Sequence, residues 1–345
     1  MPLLMRAYRD ADLVPLQETV AGWIAEAGRC GYDHIGELPH RIYENLRGGG
    51  SELVWLWEDG VDIAGLAITM RFGSAFDVVT APALRGTPAE LSMLRFAYEA
   101  TARQTTDEYV LTDVFDCDTT RIAQLERLGF ERFRTWDDAN ECVLPDAIAP
   151  PSVPDGFLVR SARLDDADQL AAARNSSFDA DWTGEQYRAA VMTKPGYDPD
   201  REIVVEAPDG RIAAFTVYWV DARNRIGHFE PVGTHADFRR RGLARAAMLH
   251  AMERMRAAGM TLVTVNHNTD NIGARRLYDS IGFTKRHETH GYHHPALSPL
   301  SLPSLAPPLF CRPSLAAPLL RRSRAYGRGL ISFPRPFALD RRKSP

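Results

Sequence analysis

The sequence predicts an α/β protein (α+β in some schemes) of two similar domains, each a mixed central β-sheet flanked by helices, followed by a disordered carboxy-terminal tail. Three observations lead to this fold class. The chain has 345 residues, more than one hydrophobic core usually accommodates, so two domains of roughly 100–200 residues are expected. The first half also resembles the second at a nearly constant offset. Finally, each half mixes strand-like and helix-like runs.

The composition is compatible with two packed domains. Hydrophobic residues make up 45% of the chain and charged residues 25%, close to the averages of globular proteins. The amino terminus has no basic stretch followed by an apolar run, and no segment approaches the ~18 consecutive apolar residues of a membrane span. We therefore expect a cytoplasmic protein without a membrane partner.

The four cysteines lie far apart in the sequence, and none belongs to a Cys-x-x-Cys pair. This spacing predicts neither a disulfide framework nor a zinc site. The cysteines are Cys30, Cys117, Cys142 and Cys311. We expect structural or incidental thiols and no metal.

Charge is distributed unevenly, although the formal net charge is only −4. Residues 295–345 contain nine basic side chains, one acidic side chain and ten prolines, without helical or strand periodicity. Such a segment buries little apolar surface, so we predict a disordered basic tail on an acidic body. The tail lacks interleaved aromatic residues on a folded platform, and no nucleic-acid partner is expected.

Three landmarks recur along the chain at nearly one offset. The pairs are Arg6-x-x-Arg9-x-x-Asp12 with Arg160-x-x-Arg163-x-x-Asp166 (154 residues), Met93-Leu94 with Met248-Leu249 (155 residues), and Leu128-Gly129-Phe130 with Ile281-Gly282-Phe283 (153 residues). A shared offset over most of both halves indicates a duplicated domain. The predicted organisation is an amino-terminal domain at 1–147, a proline-rich linker at 148–154, a carboxy-terminal domain at 155–294 and the tail at 295–345.

Both halves contain a predicted β-hairpin. The β-rich runs are 202–206 and 212–220 around Asp209-Gly210, and 53–57 and 63–69 around Asp59-Gly60. The second half continues with a strand at 229–234, a helix from Leu243, a strand at 262–266 and a short helix at 272–280 that ends before Gly282.

A phosphate-binding turn is predicted at Arg239-Arg240-Arg241-Gly242-Leu243-Ala244, where a strand ends and a helix begins. Helix N-termini present unpaired N–H groups and a partial positive charge, which suit a pyrophosphate. Gly242 allows a close backbone approach, and the three arginines add charge-assisted contacts. An apolar stripe behind the turn is assigned to core packing, namely Ala244, Met248, Ala251, Met252 and Met255.

Two motifs together resemble the GCN5-related N-acetyltransferase (GNAT) superfamily. The first is Arg239-x-x-Gly242-x-Ala244 after the strand at 230–234, and the second is Asn271-x-x-Ala274-x-x-Leu277-Tyr278-x-x-x-Gly282-Phe283. The two-domain layout resembles the tandem acetyltransferases. The resemblance implies GNAT-like domains and transfer of an acetyl group from acetyl-CoA, as co-substrate, to a primary amine by direct attack in a ternary complex.

The resemblance also implies roles for individual residues. Backbone groups of Val232 and Thr234 would pair with the pantetheine arm, and backbone N–H groups from Arg240 through Ala244 would hold the pyrophosphate. Asn271 would contact the coenzyme arm.

The same resemblance implies that Tyr278 is the general acid that protonates the departing CoA thiolate. A tyrosine hydroxyl can supply that proton, whereas the structural alternative is a packed aromatic side chain. For the base, Glu230 is the first choice and His228 the second, and strand alternation places both on one face. Either could equally be a structural polar residue.

The amino-terminal copy is predicted to have lost the site. The shared offset places Leu84, Gly86, Thr87 and Ala89 opposite Arg239, Arg241, Gly242 and Ala244. The arginine and the glycine of the turn are then missing, while Asp118 replaces Asn271 and Leu125 replaces Tyr278. The first domain would keep the fold without productive CoA chemistry.

Other function classes remain open at this stage. A non-enzymatic CoA-binding sensor could use the same turn, although Tyr278 favours an enzyme. The acceptor would be a small-molecule or peptide amine, and the loops at 181–184 and 197–199 carry no code that identifies it. The length of the acyl group also stays undetermined.

Overall fold

A single mixed β-sheet of twelve strands runs through both halves of the chain. This computed structural model describes residues 3–46 and 50–296. The strands of the first half are β1 (Leu4–Ala7), β2 (Val54–Asp59), β3 (Asp62–Arg71), β4 (Ala75–Thr80), β5 (Tyr109–Phe115) and β6 (Glu131–Val143). Those of the second half are β7 (Leu158–Ser161), β8 (Glu202–Glu206), β9 (Ile212–Asp221), β10 (Ile226–Thr234), β11 (Leu262–Asn268) and β12 (Thr284–Pro295).

Helices occupy equivalent places in the two halves. The first half has α1 (Leu13–Ala27), α2 (Glu37–Pro39), α3 (Gly50–Leu53), α4 (Pro88–Ala102) and α5 (Thr119–Arg127). The second half has α6 (Ala167–Phe178), α7 (Gly184–Tyr187), α8 (Leu243–Ala257) and α9 (Ile272–Asp279). The predicted mixed α/β fold of two similar units is confirmed, and both predicted hairpin turns join neighbouring strands.

The last strand of each half pairs with the other half. The sheet order is β1-β2-β3-β4-β5-β12-β6-β11-β10-β9-β8-β7. Strand β12 pairs antiparallel with β5, β6 pairs antiparallel with β11, and the two exchanged strands pair with each other. The sequence predicts a separate sheet in each domain. The exchange joins the two sheets into one because each final strand satisfies its backbone groups on the neighbouring half.

The apolar stripe of α8 lies in the largest core of the second half. Met248, Ala251, Met252 and Met255 are buried there against β10 and β11 residues such as Phe229. Their burial fits the predicted packing role, because side chains three and four positions apart share one helical face. This core fixes the position of the turn that precedes α8.

The expectation of unpaired cysteines is wrong for two of them. Cys30 and Cys117 form a disulfide although 87 residues separate them, and their Cα atoms are 6.0 Å apart. The fold brings the loop after α1 beside the end of β5, a proximity that sequence spacing does not encode. Cys142 is a free, buried thiol, and Cys311 lies outside the described residues.

The predicted tail at 295–345 lies outside the described residues except at its start. Pro295 belongs to β12 and is paired with Tyr109. The N–H of Ala296 donates to the carbonyl of Glu108 at 2.8 Å. Within residues 3–46 and 50–296, none of the helices combines the length and the apolar character needed to cross a membrane.

Candidate active site

Strands β10 and β11 separate at the middle of β10. They pair in parallel from Ile226 with Leu262 to Phe229 with Val265, and the described ladder ends there. On its other edge β10 stays paired with β9 through Thr234, after an irregularity between Phe229 and Val232. The gap beside 230–234 leaves one backbone edge of this segment available for a ligand.

The turn before α8 leaves several backbone donors unused. Gly242 is the N-cap of α8 at φ 77°, and Arg240 has φ 62°. Within the described chain, the N–H groups of residues 240–245 donate to no acceptor. A Cβ atom at Gly242 would meet nothing within 4 Å. The turn therefore offers open space and free N–H groups at the positive end of a 15-residue helix.

The arginines of this turn are exposed. Arg239 donates to the carbonyl of Ser176 at 3.3 Å, and the Arg241 guanidinium lies 5.6 Å from the centre of the Phe238 ring. None of the three forms an ion pair with a carboxylate in the described residues. Their positive charge is therefore free to meet an anion. Leu243 and Ala244, by contrast, are buried at the start of α8.

Tyr278 lies on α9 facing the split between β10 and β11. Its side chain is buried, with ring centres 5.5 Å from His267 and 5.9 Å from Phe283. No side chain or backbone group of the described chain forms a hydrogen bond with its hydroxyl. Burial raises the pKa of Tyr278, and the negative charge of Glu230 raises it further. The hydroxyl thus holds its proton at neutral pH, as a general acid requires.

Glu230 lies on β10 and faces residues from the first half. Its Oε1 is 3.4 Å from Nε2 of His40, in the turn that follows α2. Burial raises the pKa of Glu230, while the nearby His40 acts in the opposite direction. Burial in turn lowers the pKa of His40. A carboxylate with a raised pKa can accept a proton near neutral pH.

His228 is fully engaged in the interface between the halves. Its Nδ1 lies 2.8 Å from the hydroxyl of Thr264, its Nε2 lies 3.0 Å from Oε1 of Glu37, and its ring stacks on His34 at 5.0 Å. The side chain is 1% exposed. His228 does share a face with Glu230, as strand alternation predicts, but both of its ring nitrogens have partners.

Glu37 and His40, which contact His228 and Glu230, are not among the site residues predicted from the sequence. Glu37 forms a buried ion pair with Arg41 at 3.2 Å, and the surrounding charges hold the pKa of Glu37 well below its usual value. No motif in the sequence marks this segment, because its role arises from packing against a strand some 190 residues away. A single sequence contains no signal for that contact.

Asn271 is the N-cap of α9. Its Oδ1 accepts the N–H of Ala274 at 3.0 Å, and the residue is exposed. The cap leaves the side-chain NH₂ group as the part available to a coenzyme. Asp118 holds the equivalent place in the first half, where it accepts the N–H of Arg121 at 3.0 Å as the N-cap of α5.

The equivalent turn of the first half is filled from within the protein. The N–H of Gly86 donates to Oε2 of Glu90 at 2.6 Å. Oε1 of Glu90 receives Arg121 at 2.6 Å, and the same guanidinium donates to the carbonyl of Val78 and to the hydroxyl of Thr80. Val78 and Thr80 lie 154 residues before Val232 and Thr234. The side chain of Arg121 therefore occupies the strand edge that stays open in the second half.

The structure corrects the alignment of the two turns. Arg85 and Arg239 each follow directly on a 3-10 turn, and Gly86 and Arg240 both have positive φ. Arg85 is thus the counterpart of Arg239, and the second half has one extra residue before its helix. The expectation that the first turn lacks both an arginine and a glycine is wrong, because the constant offset hid this insertion.

A model of the acetyltransferase (GNAT) family matches residues 167–283. The mycothiol acetyltransferase of Thermomonospora curvata is 28% identical over 266 residues, which cover 74% of this chain and 86% of the relative. The mycothiol acetyltransferase of Streptomyces griseus is 26% identical over 162 residues, covering 46% of this chain and 52% of the relative.

Two solved structures share the whole fold. A GCN5-related N-acetyltransferase from Sphaerobacter thermophilus has a TM-score of 0.57 at 18% identity, covering 85% of this chain and 96% of that one. A tandem GNAT protein from the clavulanic acid biosynthesis pathway has a TM-score of 0.58 at 13% identity, covering 86% and 99%. The relatives indicate an acetyltransferase. Together with the family model over residues 167–283, they support a GNAT superfamily acetyltransferase, as the sequence resemblance predicts.

Proposed function

We propose that the second half of the chain transfers an acetyl group from acetyl-CoA to the primary amine of a small molecule, by direct attack in a ternary complex. The observation that carries the proposal is the open strand edge of β10 beside a helix N-terminus with unused N–H groups. A peptide amine is the alternative acceptor. Acetyl-CoA would supply the acetyl group as a thioester.

The chain's own residues would hold the donor at three places. Backbone groups of Val232 and Thr234 would pair with the amide groups of the pantetheine arm. The N–H groups between Arg240 and Ala244, with the guanidinium groups of the turn, would bind the pyrophosphate. The NH₂ group of Asn271 would contact the arm from the N-terminus of α9. The open space at Gly242 supports this assignment.

Tyr278 would protonate the thiolate that leaves as the amide bond forms. Its raised pKa keeps the hydroxyl protonated, and the hydroxyl has no partner in the described chain that competes for its proton. Burial excludes water from the reacting groups and strengthens the interaction with the developing negative charge.

Glu230 would remove a proton from the attacking amine, directly or through a water molecule. An ammonium group must lose a proton before its nitrogen can attack the thioester, and an ionised carboxylate beside the gap between β10 and β11 can accept it. His228 is the second choice, and its two hydrogen-bonded ring nitrogens favour a supporting role. A protonated His40 would favour the ionised form of Glu230.

The acceptor class follows from two observations. The relatives are named for mycothiol, a small molecule, and Glu230 faces Glu37 and His40 of the first half across a narrow interface. We therefore propose a small polar amine that enters between the halves. In this scheme only the second half binds CoA, because Glu90 and Arg121 already fill the first turn.

A thiol-release assay tests the proposal. Acetyl-CoA is offered with a panel of amines that includes aminoglycosides, free amino acids, polyamines and peptides, and propionyl-CoA tests the acyl group. Amine-dependent release of CoA is expected, and Glu230→Gln should remove most of it. Tight CoA binding without amine-dependent turnover on any of these acceptors would favour a CoA-binding sensor instead.

A further inference from the structure

A cluster of metal-binding side chain types lies where the first half meets the exchanged strand β12. One carboxylate oxygen of Asp116, the Sγ of Cys117 and a ring nitrogen of His287 all lie within 4.8 Å of one another. Cys30 brings a fourth donor, because its sulfur is bonded to that of Cys117. The four side chains come from three segments of the chain and form no part of the acetyl-transfer site.

We propose that these four side chains bind Zn²⁺ when the disulfide is reduced. Two thiolates, one imidazole and one carboxylate are a ligand set that Zn²⁺ accepts in tetrahedral geometry. The disulfide takes two electrons and two protons from a dithiol reductant, which is itself oxidised to a disulfide. Zn²⁺ then displaces the two thiol protons as the two Zn–S bonds form.

The spacing of the donors suits one ion. Metal–ligand distances of about 2.0–2.3 Å place neighbouring ligand atoms of a tetrahedral site roughly 3–4 Å apart. Nδ1 of His287 is already 3.1 Å from Oδ1 of Asp116. The Cα atoms of Cys30 and Cys117 are 6.0 Å apart, which leaves room for their sulfurs to separate around an ion without a large backbone movement.

The backbone around the cluster is held in place independently of the sulfurs. The N–H of Asp116 donates to the carbonyl of Glu288 at 2.9 Å, which ties the end of β5 to β12 beside His287. The carbonyl of Cys30 accepts from Nη1 of Arg85 at 2.7 Å. Asp116, Cys117 and His287 are partly exposed, so an ion can enter from solvent.

A second group of possible metal ligands differs from the Cys30 cluster because an arginine already pairs with it. Glu37, His228 and Glu230 also lie within 4.8 Å of one another. Arg41 is 3.2 Å from Glu37, and its guanidinium already supplies the positive charge that a metal would bring. Among the described residues, no lysine or arginine forms an ion pair with Asp116, and Arg85 contacts the cluster only through the backbone carbonyl of Cys30. We therefore assign the metal to the Cys30 cluster.

The two states of the cluster connect different parts of the protein. The disulfide joins two segments of the first half, whereas zinc also binds His287 on the strand that the second half contributes. Cys30 precedes the segment with His34 and Glu37, which contacts His228 on β10. Zinc in the reduced protein thus ties this segment to the exchanged strand.

Zinc titration of the reduced full-length chain tests the inference. The protein is reduced with a phosphine, the reductant is removed, and Zn²⁺ is titrated in competition with a chromogenic chelator. We expect one equivalent to bind and two thiols to become protected from alkylation. Co²⁺ in place of Zn²⁺ should give thiolate-to-cobalt charge-transfer absorption. The chain with its disulfide intact should bind no ion at this affinity.

Variants locate the ion. His287→Ala should weaken zinc binding at least ~10–100-fold, the range seen when even supporting residues of a metal site are removed. His290→Ala, on the same strand, is the matched control and should bind as the unaltered chain does. His287→Ala leaves both cysteines in place, so the test does not depend on whether a cysteine variant folds. Absence of a bound equivalent in the reduced chain, or equal affinity in His287→Ala and His290→Ala, would overturn the assignment.

Discussion

The turn before α8 and the turn before α4 are built from the same elements but differ in what their backbone donors contact. In the second half, the N–H groups of residues 240–245 have no acceptor in the described chain. In the first half, Gly86 donates to Glu90, and Arg121 covers the adjoining strand edge at Val78. An internal ion pair thus satisfies the groups that a pyrophosphate and a pantetheine arm would satisfy in the other half.

The turn of the first half is held by a buried ion pair of the chain itself. Glu90 is 1% exposed and Arg121 is 8% exposed, so the pair forms part of the protein interior. Burying two charges is costly unless both are fully hydrogen-bonded, and here both have several partners. Side chains of the chain itself therefore form hydrogen bonds with the backbone groups of the first turn and the adjoining strand.

The largest difference between the halves is expected for substitutions at Tyr278 and Leu125, which occupy corresponding positions. Tyr278→Phe should lower kcat about 10²–10⁴-fold, the usual contribution of a positioned general acid, with little change in CoA affinity. Leu125 is 1% exposed, so Leu125→Ala should instead cost roughly 2–5 kcal/mol in the free energy of unfolding. Steady-state kinetics and denaturant unfolding measure both effects. Normal turnover in Tyr278→Phe would remove this residue from the mechanism.

The internal ion pair predicts a large effect on stability in the first half only. Arg121→Ala leaves Glu90 buried without its main partner and should cost about 3–5 kcal/mol in the free energy of unfolding. The exposed Arg239 is the matched control, and Arg239→Ala should change stability by less than about 0.5 kcal/mol while weakening CoA binding.

A double variant checks the cause of that loss. Glu90→Leu combined with Arg121→Met removes both charges and should recover much of the stability. Calorimetry should also find one CoA per unaltered chain. A second equivalent of similar affinity would show that the first turn opens to the ligand.

The open turn predicts a smaller effect on binding. Gly242→Glu places bulk and negative charge at the proposed pyrophosphate site and should weaken CoA binding at least ~10-fold, or about 1.4 kcal/mol. Gly259, just after the other end of α8, has φ +85° and equally open surroundings. Gly259→Glu therefore introduces the same backbone strain without affecting the ligand. Equal CoA affinity in the two variants would move the phosphate site elsewhere.

The smallest expected effect is on the pH dependence. Burial raises the pKa of Glu230, so the acid limb of kcat/KM should lie above the value of about 4.3 of an ordinary glutamate. The folded protein then holds this proton more tightly than the unfolded chain does. Stability from this group is complete below the unfolded pKa and is lost as pH rises through the folded pKa.

Glu230→Gln should remove both dependences together with most of the activity. The pH profiles of kcat/KM and of the unfolding free energy measure them. An acid limb at or below pH ~4 in the unaltered enzyme would argue against Glu230 as the base.

Features that depend on residues close together in the chain could be predicted from the amino-acid sequence. The duplicated α/β units follow from a repeat of short motifs. The resemblance to the GNAT superfamily depends on the motifs around Gly242 and Tyr278, because a strand, a turn and a helix N-terminus are adjacent in the chain. Periodicity likewise placed Glu230 and His228 on one face, since side chains alternate along a strand.

Contacts between distant segments became visible in the folded structure and could not be predicted from the sequence. The exchange of β6 and β12, the Cys30–Cys117 disulfide and the contact between Glu37 and His228 all join residues far apart in sequence. The backbone angles also revealed the one-residue insertion, which makes Arg85 and not Leu84 the counterpart of Arg239. Such contacts arise from packing and strand pairing between distant segments, and one sequence records the residues involved without recording which of them become neighbours.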